Sequence, residues 1–114
     1  QVPEAMSRVL IKEIEIYAIQ FAKLHKLPKK DVYLRAVKYF LKQCPGYQAE
    51  YTLTPQEINA MTQIELKEQL KSRYLPIGGK KAAQQERLMQ FCDEIRGFLE
   101  ECDLPHGLPQ GSDT

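Results

Sequence analysis

Features that mark metalloproteins, disulfide scaffolds and membrane proteins are missing from this chain of 114 residues. Its three cysteines form no C-x-x-C pair, and with only two histidines beside them no zinc-ligand spacing is present. Unpaired thiols of this kind indicate a reduced, intracellular protein. No apolar run is long enough to span a bilayer, and no signal-peptide pattern opens the sequence. We therefore expect no metal, no cofactor and no membrane partner.

Patterns that mark an active site are missing as well. Glu100 and Glu101 are neighbours on a predicted helix, so their carboxylates point in different directions. His25 and His106 lie in predicted turns, and no acid or nucleophile is paired with them in the sequence. The turn at 78–81 lacks both the GxxxxGK[ST] spacing and the preceding strand of a P-loop. We expect no catalytic residues and a protein that is not an enzyme.

Net charge is small, but the charges are unevenly distributed. The chain carries a net charge of +1, with 43% hydrophobic and 27% charged residues, which is typical of one compact globular domain. Seven basic residues between Lys23 and Lys42 are accompanied by Asp31 alone, whereas six acidic residues from Asp93 onward are accompanied only by Arg96. The basic half indicates either a surface that faces a polyanion or an ordinary solvated helix face.

Apolar spacing predicts an antiparallel hairpin of two helices in residues 1–46, at about 3–25 and 28–43. The stripe predicted for the first helix is Met6, Leu10, Ile14, Tyr17, Phe21 and Leu24. Three isoleucines lie off this stripe: Ile11, Ile16 and Ile19. They are either buried within the monomer or form an interaction face for a protein partner or a second copy of the chain.

The turn of this hairpin concentrates basic charge. Lys26, Lys29 and Lys30 project from one end of the hairpin, and Arg35 and Lys38 follow along the second helix. These five residues are predicted to form a second basic patch on the protein.

Residues 54–102 carry the clearest helix signals. Thr54 with Glu57, and Thr62 with Glu65, each form a capping box that begins a helix. The connection at 47–53, which joins the hairpin to this region, is predicted to be irregular. The last helix continues its apolar stripe as far as Cys102 and needs a partner, for which the hairpin is the obvious candidate.

Residues 103–114 are rich in proline and glycine and are predicted to be a flexible tail. Because the chain begins with Gln1 rather than Met, it is compatible with a piece of a longer protein.

A turn that carries two lysines separates the two helices of segment 62–88. On the first helix, Ile64, Leu66 and Leu70 are predicted to face inward and Lys67, Lys71 and Arg73 to face water. Pro76 and the glycine pair Gly78–Gly79 stop this helix and reverse the chain. The second helix begins near Lys80, so its unpaired N–H groups and positive dipole end lie beside two ammonium groups. That combination favours a phosphate or another anion.

The ordered residues of 62–88 resemble the SAP domain, a small helix–extended turn–helix module. The matching residues are Glu65-Leu66-Lys67, Leu70, Lys71, Arg73, Leu75-Pro76, Gly79, Lys81-Ala82 and Glu86-Arg87-Leu88. Two positions diverge from the family pattern. Tyr74 stands where a glycine usually closes the first helix, so it must take an unfavourable backbone conformation or end the helix differently. Gln84 stands where an apolar residue is usual and is expected to weaken the packing face of the second helix.

The resemblance implies a helical, non-catalytic, nucleic-acid-binding module. Together with the apolar stripes it predicts an all-α fold, in which the N-terminal antiparallel hairpin packs on a SAP-like helix–turn–helix with an extended last helix. SAP domains bind DNA, often with a preference for AT-rich sequences, and some bind RNA; a eukaryotic member would be nuclear. The residues carried over are Gly79, Lys80 and Lys81, with Arg73, Lys71 and Lys67 on the neighbouring helix. The rival hypothesis is a protein-interaction or dimerisation module that uses the long first helix. The rest of the chain is not recognised.

Overall fold

Five α-helices and one short 3-10 helix make up residues 4–102, the part of the chain that the computed structural model describes. They are α1 (Glu4–His25), α2 (Lys29–Gln43), the 3-10 helix (Pro45–Glu50), α3 (Pro55–Ala60), α4 (Gln63–Ser72) and α5 (Lys81–Glu101). No strand occurs in this range, and the predicted all-α fold is confirmed. The tail predicted at 103–114 lies outside the described residues.

Both predicted capping boxes are present. The Oγ1 atoms of Thr54 and Thr62 accept hydrogen bonds from the backbone N–H groups of Glu57 and Glu65, at 3.1 and 3.2 Å. The two glutamates reciprocate by accepting from the threonine N–H groups, at 2.9 and 2.8 Å. Since each box involves residues only three positions apart, local sequence is sufficient to start α3 and α4.

The contact face of α1 differs from the predicted stripe. Met6, Tyr17 and Leu24 are 56%, 64% and 77% exposed, whereas Ala18 and Ala22 are 1% exposed. Three of the six residues in the predicted stripe therefore face solvent. Small alanine side chains let the neighbouring helix approach closely, so the buried face is centred on them and not on the largest apolar residues.

The carboxyl-terminal half of α5 packs against α2, as the length of its apolar stripe predicted. The main core cluster contains Tyr33, Val37, Phe40, Leu41, Phe91, Ile95 and Leu99. The predicted irregular connection at 47–53 instead begins as part of the 3-10 helix, which Pro45 opens at its first position. Tyr47 and Tyr51 on this segment pack edge-on against Phe40, at centroid distances of 5.9 and 6.1 Å.

A second core cluster joins α3 and α4 to the first half of α5. It contains Ile58, Leu66, Leu70, Leu88 and Cys92, all with no exposed side-chain surface. Leu75 packs against both clusters and so connects them. Ile64 is 72% exposed, which corrects its predicted place on the inner face of α4. It lies on the first turn of α4 and belongs to neither core cluster.

Replacing Leu66 by alanine should lower the free energy of unfolding by about 2–5 kcal/mol, because a fully buried leucine leaves a cavity behind. The matched control is Ile64→Ala on the same helix, which should change it by less than about 0.5 kcal/mol because that side chain is exposed. Urea denaturation followed by circular dichroism measures both. Equal effects for the two variants would contradict the described orientation of α4.

Candidate nucleic-acid interface

The carboxyl end of α4 is closed by Tyr74 in the left-handed backbone conformation, with a φ of 61°. The N–H of Leu75 bonds to the carbonyl of Leu70 at 2.9 Å, and the N–H of Tyr74 bonds to that of Lys71 at 3.0 Å. This is the Schellman arrangement, in which glycine is preferred because it has no Cβ. Of the two alternatives for Tyr74, the unfavourable backbone conformation is confirmed.

The side chain of Tyr74 explains how the strain is tolerated. Its hydroxyl donates to Glu15 Oε2 on α1 at 2.8 Å, and its ring meets Tyr33 on α2 edge-on at 5.0 Å. Burial, together with the hydrogen bond to Glu15, raises the pKa of Tyr74 to about 12. A left-handed non-glycine residue costs roughly 1–2 kcal/mol. The two contacts offset this cost and tie the turn to the hairpin.

Two side chains of α5 hold the turn at 76–79 in place. Arg87 Nη1 donates to the carbonyl oxygens of Pro76 and Gly78, at 2.6 and 3.0 Å. Gln84 Nε2 donates to the carbonyl oxygen of Ile77 at 2.8 Å. Three consecutive carbonyl groups are therefore fixed from α5. The next residue, Gly79, has a φ of 98°, which a residue with a Cβ adopts only under strain.

Gln84 is completely buried at its position on α5. Besides replacing an apolar residue on the packing face, it supports the turn, because its amide donates to the carbonyl of Ile77. Its Oε1 atom is buried without a hydrogen-bond partner among the described residues, so part of the gain is offset by desolvation. Arg87 and Gln84 are the supporting residues whose roles the sequence did not reveal. Their spacing of three on α5 is the only signal, since it places both over the same turn.

The N-terminus of α5 has no side-chain cap. Its N-cap residue, Lys80, has an extended conformation and makes no capping hydrogen bond, and the first turn contains no acidic residue. The N–H of Gln84 bonds to the carbonyl of Lys80 at 3.0 Å, so the N–H groups before it are available to water or to a ligand. Gly78, Gly79, Lys80 and Lys81 are all exposed. A solvent-facing helix terminus with two adjacent lysines attracts anions.

Of the three basic residues predicted to face water on α4, two do so. Lys67 and Lys71 are exposed, but Arg73 is only 5% exposed. Its Nε and Nη2 donate to the carbonyl oxygen of Tyr51 at 3.2 and 2.9 Å, and Nη1 donates to Gln69 O and Oε1 at 3.0 and 2.7 Å. The guanidinium lies over the ring of Phe91 at 5.6 Å. The predicted solvent exposure of Arg73 is wrong, and its position is that of an internal brace.

The burial of Arg73 also affects its acidity. Desolvation lowers the pKa of this guanidinium, against smaller opposing effects of Cys92 and Tyr33. The group keeps its charge nevertheless, since arginine starts from a pKa well above neutrality. A buried charge of this kind is tolerated because all three of its nitrogens are hydrogen-bonded.

The structure divides the predicted second basic patch. Lys30 lines a groove with Pro76 and Arg87, so the start of α2 lies beside the SAP-like turn. Lys38 is instead paired with Glu94 at 3.0 Å. The remaining members, Lys26, Lys29 and Arg35, are exposed. The five residues therefore do not act as one unit, and only Lys30 is placed against the turn.

The predicted interaction face on α1 is divided too. Ile11 packs against the main core cluster, Ile19 is half-buried, and Ile16 is 56% exposed.

Within residues 4–102, no group of three histidine, cysteine, aspartate or glutamate side chains is arranged to hold a metal ion. No helix of the same range is long and apolar enough to cross a bilayer.

Comparison with protein families supports the turn as the recognisable part of the chain. Residues 57–91 match the SAP domain. The match extends from α3 through α4 and the turn into the first half of α5, and thus confirms the SAP-like segment that the sequence indicated at 62–88. A SAP domain suggests a nucleic-acid-binding module in general terms. Neither a curated protein nor a solved structure gave a significant match.

Removing the side chain of Arg73 should destabilise the protein. Arg73→Ala removes both side-chain donors to the carbonyl oxygen of Tyr51, whereas the carbonyl oxygen of Gln69 keeps the hydroxyl of Ser72 at 2.8 Å. With the loss of the contact to Phe91, we expect the free energy of unfolding to fall by about 2–4 kcal/mol. Lys71→Ala, which removes the same charge two residues earlier from an exposed position, should change it by less than about 0.5 kcal/mol. Thermal and urea denaturation of both variants measure the difference. A tolerated Arg73→Ala variant would show that the guanidinium is not a structural brace.

Proposed function

We propose that this protein is a non-catalytic nucleic-acid-binding module that contacts the phosphate backbone of DNA at the turn 78–81. The observation that carries this proposal is the uncapped N-terminus of α5, flanked by exposed Lys80 and Lys81 within a segment that matches the SAP domain. Backbone N–H groups at a helix N-terminus point toward a bound phosphate, and the helix dipole adds to the attraction.

Rigidity of the turn supports the same function. Because Arg87 and Gln84 hold three successive carbonyl groups, the N–H groups that follow are already oriented before any ligand arrives. A pre-organised site loses less conformational entropy on binding than a mobile loop does. Lys67 and Lys71 on α4 extend the positive surface on one side of the turn, and Lys30 on α2 extends it on another.

Acidic residues limit how far this surface extends. Asp93 and Glu94 are exposed on α5, and Glu100 lies further along the same helix. At 1.5 Å per residue, Asp93 lies about 18 Å from Lys81, which is beyond the Debye length of about 8 Å at physiological salt. Glu94 lines the groove that Lys30 shares with the turn, but its charge is paired with Lys38 at 3.0 Å. The acidic half of α5 therefore disfavours contact along the whole helix more than it weakens attraction at the turn. A small footprint of this kind favours weak binding that depends on salt and reads the phosphate backbone.

The double variant Lys80→Ala with Lys81→Ala should weaken binding to duplex DNA at least about tenfold at low salt. The slope of log K against log salt concentration should become less steep by about two, since each lysine that contacts a phosphate contributes about one. Fluorescence anisotropy with a labelled duplex at two salt concentrations measures both quantities.

A matched control removes the same charge elsewhere. Lys12→Ala with Lys42→Ala lowers the net charge equally, but the two residues lie on α1 and at the far end of α2 from the turn. This control should leave the affinity within about twofold and the slope nearly unchanged. If the wild-type protein binds no nucleic acid at low salt, the proposed function is wrong. Equal losses for the two double variants would show a diffuse charge effect without a site at the turn. Parallel titrations with RNA identify which nucleic acid is preferred.

A second candidate function is protein interaction through α1, favoured by its exposed apolar side chains. Val9, Ile16, Tyr17 and Leu24 are each more than half exposed, and Tyr39 on α2, which is 64% exposed, lines one groove with Tyr17. Exposed apolar side chains grouped on one helix are a candidate interaction surface. If α1 forms a dimer, analytical ultracentrifugation at high concentration should show one that Ile16→Glu with Tyr17→Glu dissociates. The exposed Lys12→Glu is the control, and a wild-type monomer at high concentration would exclude self-association by this face.

A further inference from the structure

A polar pocket that the phosphate contacts do not use lies between α1, α2, the 3-10 helix and the carboxyl end of α4. Its volume is about 560 Å³, within the range of small-molecule sites. Glu15, Tyr33, Tyr51 and Tyr74 line its interior, and Lys71 lies on the same lining from α4. The first four residues come from four separate segments of the chain, so the pocket exists only in the folded protein.

Two tyrosines in this pocket have unused hydroxyl groups. Tyr33 and Tyr51 are each only 8% exposed, yet neither hydroxyl has a hydrogen-bond partner in residues 4–102. Neither oxygen belongs to the fully enclosed unpaired atoms, so both reach the open space of the pocket. Burial raises the pKa of Tyr33 to about 12 and raises that of Tyr51 as well, which keeps both phenols protonated at neutral pH. Both hydroxyls are therefore able to donate to a polar group that enters the pocket.

The charged groups around the pocket are mostly compensated. Glu50 forms a two-point ion pair with Arg8 at 2.9 and 3.0 Å, and Arg73 is engaged by backbone and amide oxygens. Glu15 accepts a hydrogen bond from Tyr74 through Oε2, while its Oε1 has no partner among the described residues. The pocket therefore offers one carboxylate acceptor and two phenol donors in a setting with little net charge. That combination suits a neutral planar molecule with both donors and acceptors better than a free ion.

Lys71 connects the pocket to the proposed phosphate-binding surface, because it belongs to both. Lys67 and Lys71 are four residues apart on α4, so their side chains lie on the same face one turn apart. Because Lys71 also lines the pocket, a strand whose phosphates contact these two lysines runs beside the pocket. Bases of a duplex are paired and stacked and cannot enter, whereas an unpaired base can turn outward.

We propose that this pocket accepts an unpaired base, best matched by guanine, from a single nucleic-acid strand whose backbone runs along Lys67 and Lys71. Guanine presents two adjacent N–H donors on its pairing edge, which match the carboxylate of Glu15, beside a carbonyl oxygen, which matches the hydroxyl donors of Tyr33 and Tyr51. The ring of Tyr74 closes one side of the pocket. The inference rests on the proposed function, and it adds base recognition and strandedness to a surface that otherwise reads only phosphate.

Fluorescence anisotropy with four labelled oligonucleotides tests the inference. These are a thymine single strand, the same strand with one central guanine, the same strand with hypoxanthine in place of guanine, and a duplex. The guanine strand should bind about tenfold more tightly than the thymine strand, as expected for well-formed hydrogen bonds to a charged group. Hypoxanthine lacks the exocyclic amine of guanine and should give an intermediate affinity. DNA and RNA versions of each strand establish which sugar the protein prefers.

The variants Glu15→Gln and Tyr51→Phe should each reduce the guanine preference to about threefold or less, without weakening duplex binding. The sign of the first effect is informative. Glu15→Gln makes the protein more positive, so a purely electrostatic surface would bind the single strand more tightly, not less tightly. Glu13→Gln changes the charge equally on the exposed side of α1 and should leave the preference intact, as should Tyr39→Phe for the second variant. Circular dichroism confirms that each variant is folded.

The outcomes separate this inference from the function on which it rests. If the protein binds the duplex through Lys80 and Lys81 but shows no guanine preference, the pocket proposal is wrong and phosphate binding stands. The same conclusion follows if Tyr51→Phe and Glu15→Gln retain the full preference. If the wild-type protein binds neither strand nor duplex at low salt, both proposals fail.

Discussion

The buried guanidinium of Arg73 is the interaction on which the arrangement of the helices depends. It joins the end of α4 to the carbonyl of Tyr51 and stacks on Phe91 of α5, so one side chain connects three segments. A charge in the interior is costly unless every polar group around it is paired. The hydrogen bonds from Nε, Nη1 and Nη2 meet that requirement, and they leave little freedom for α4 to move relative to α5.

The two residues that follow Arg73 extend this connection to the rest of the molecule. Tyr74 reaches Glu15 on α1 and Tyr33 on α2, and Leu75 packs against both core clusters. A glycine at 74 would close the helix without strain but would provide neither contact. Tyr74 is strained in its backbone, but its contacts with Glu15 and Tyr33 fix the SAP-like turn to the hairpin. It also forms one wall of the polar pocket, so the divergence from the family pattern shapes both candidate binding surfaces.

Failures of the sequence-based predictions share a physical cause. Periodicity identifies which face of a helix is apolar, but it does not identify the neighbour that covers this face. Ile64 belongs to an apolar pattern and is exposed, whereas Arg73 belongs to a polar pattern and is buried. On α1, the alanines Ala18 and Ala22 determine the contact because small side chains allow close approach. Each of these outcomes depends on residues from distant parts of the chain.

Sequence alone determined the features that arise within one turn of backbone. These are the all-α class, the capping boxes at Thr54 and Thr62, and the lysine-flanked start of α5, because their partners lie within a few positions. Tertiary structure decided which basic residues face solvent and which brace the interior. Arg73 donates a hydrogen bond to the carbonyl of Tyr51, 22 residues away in the sequence, and Tyr74 donates one to Glu15, 59 residues away. No local pattern encodes such distances, since the contacts form only when the hairpin packs on the SAP-like segment.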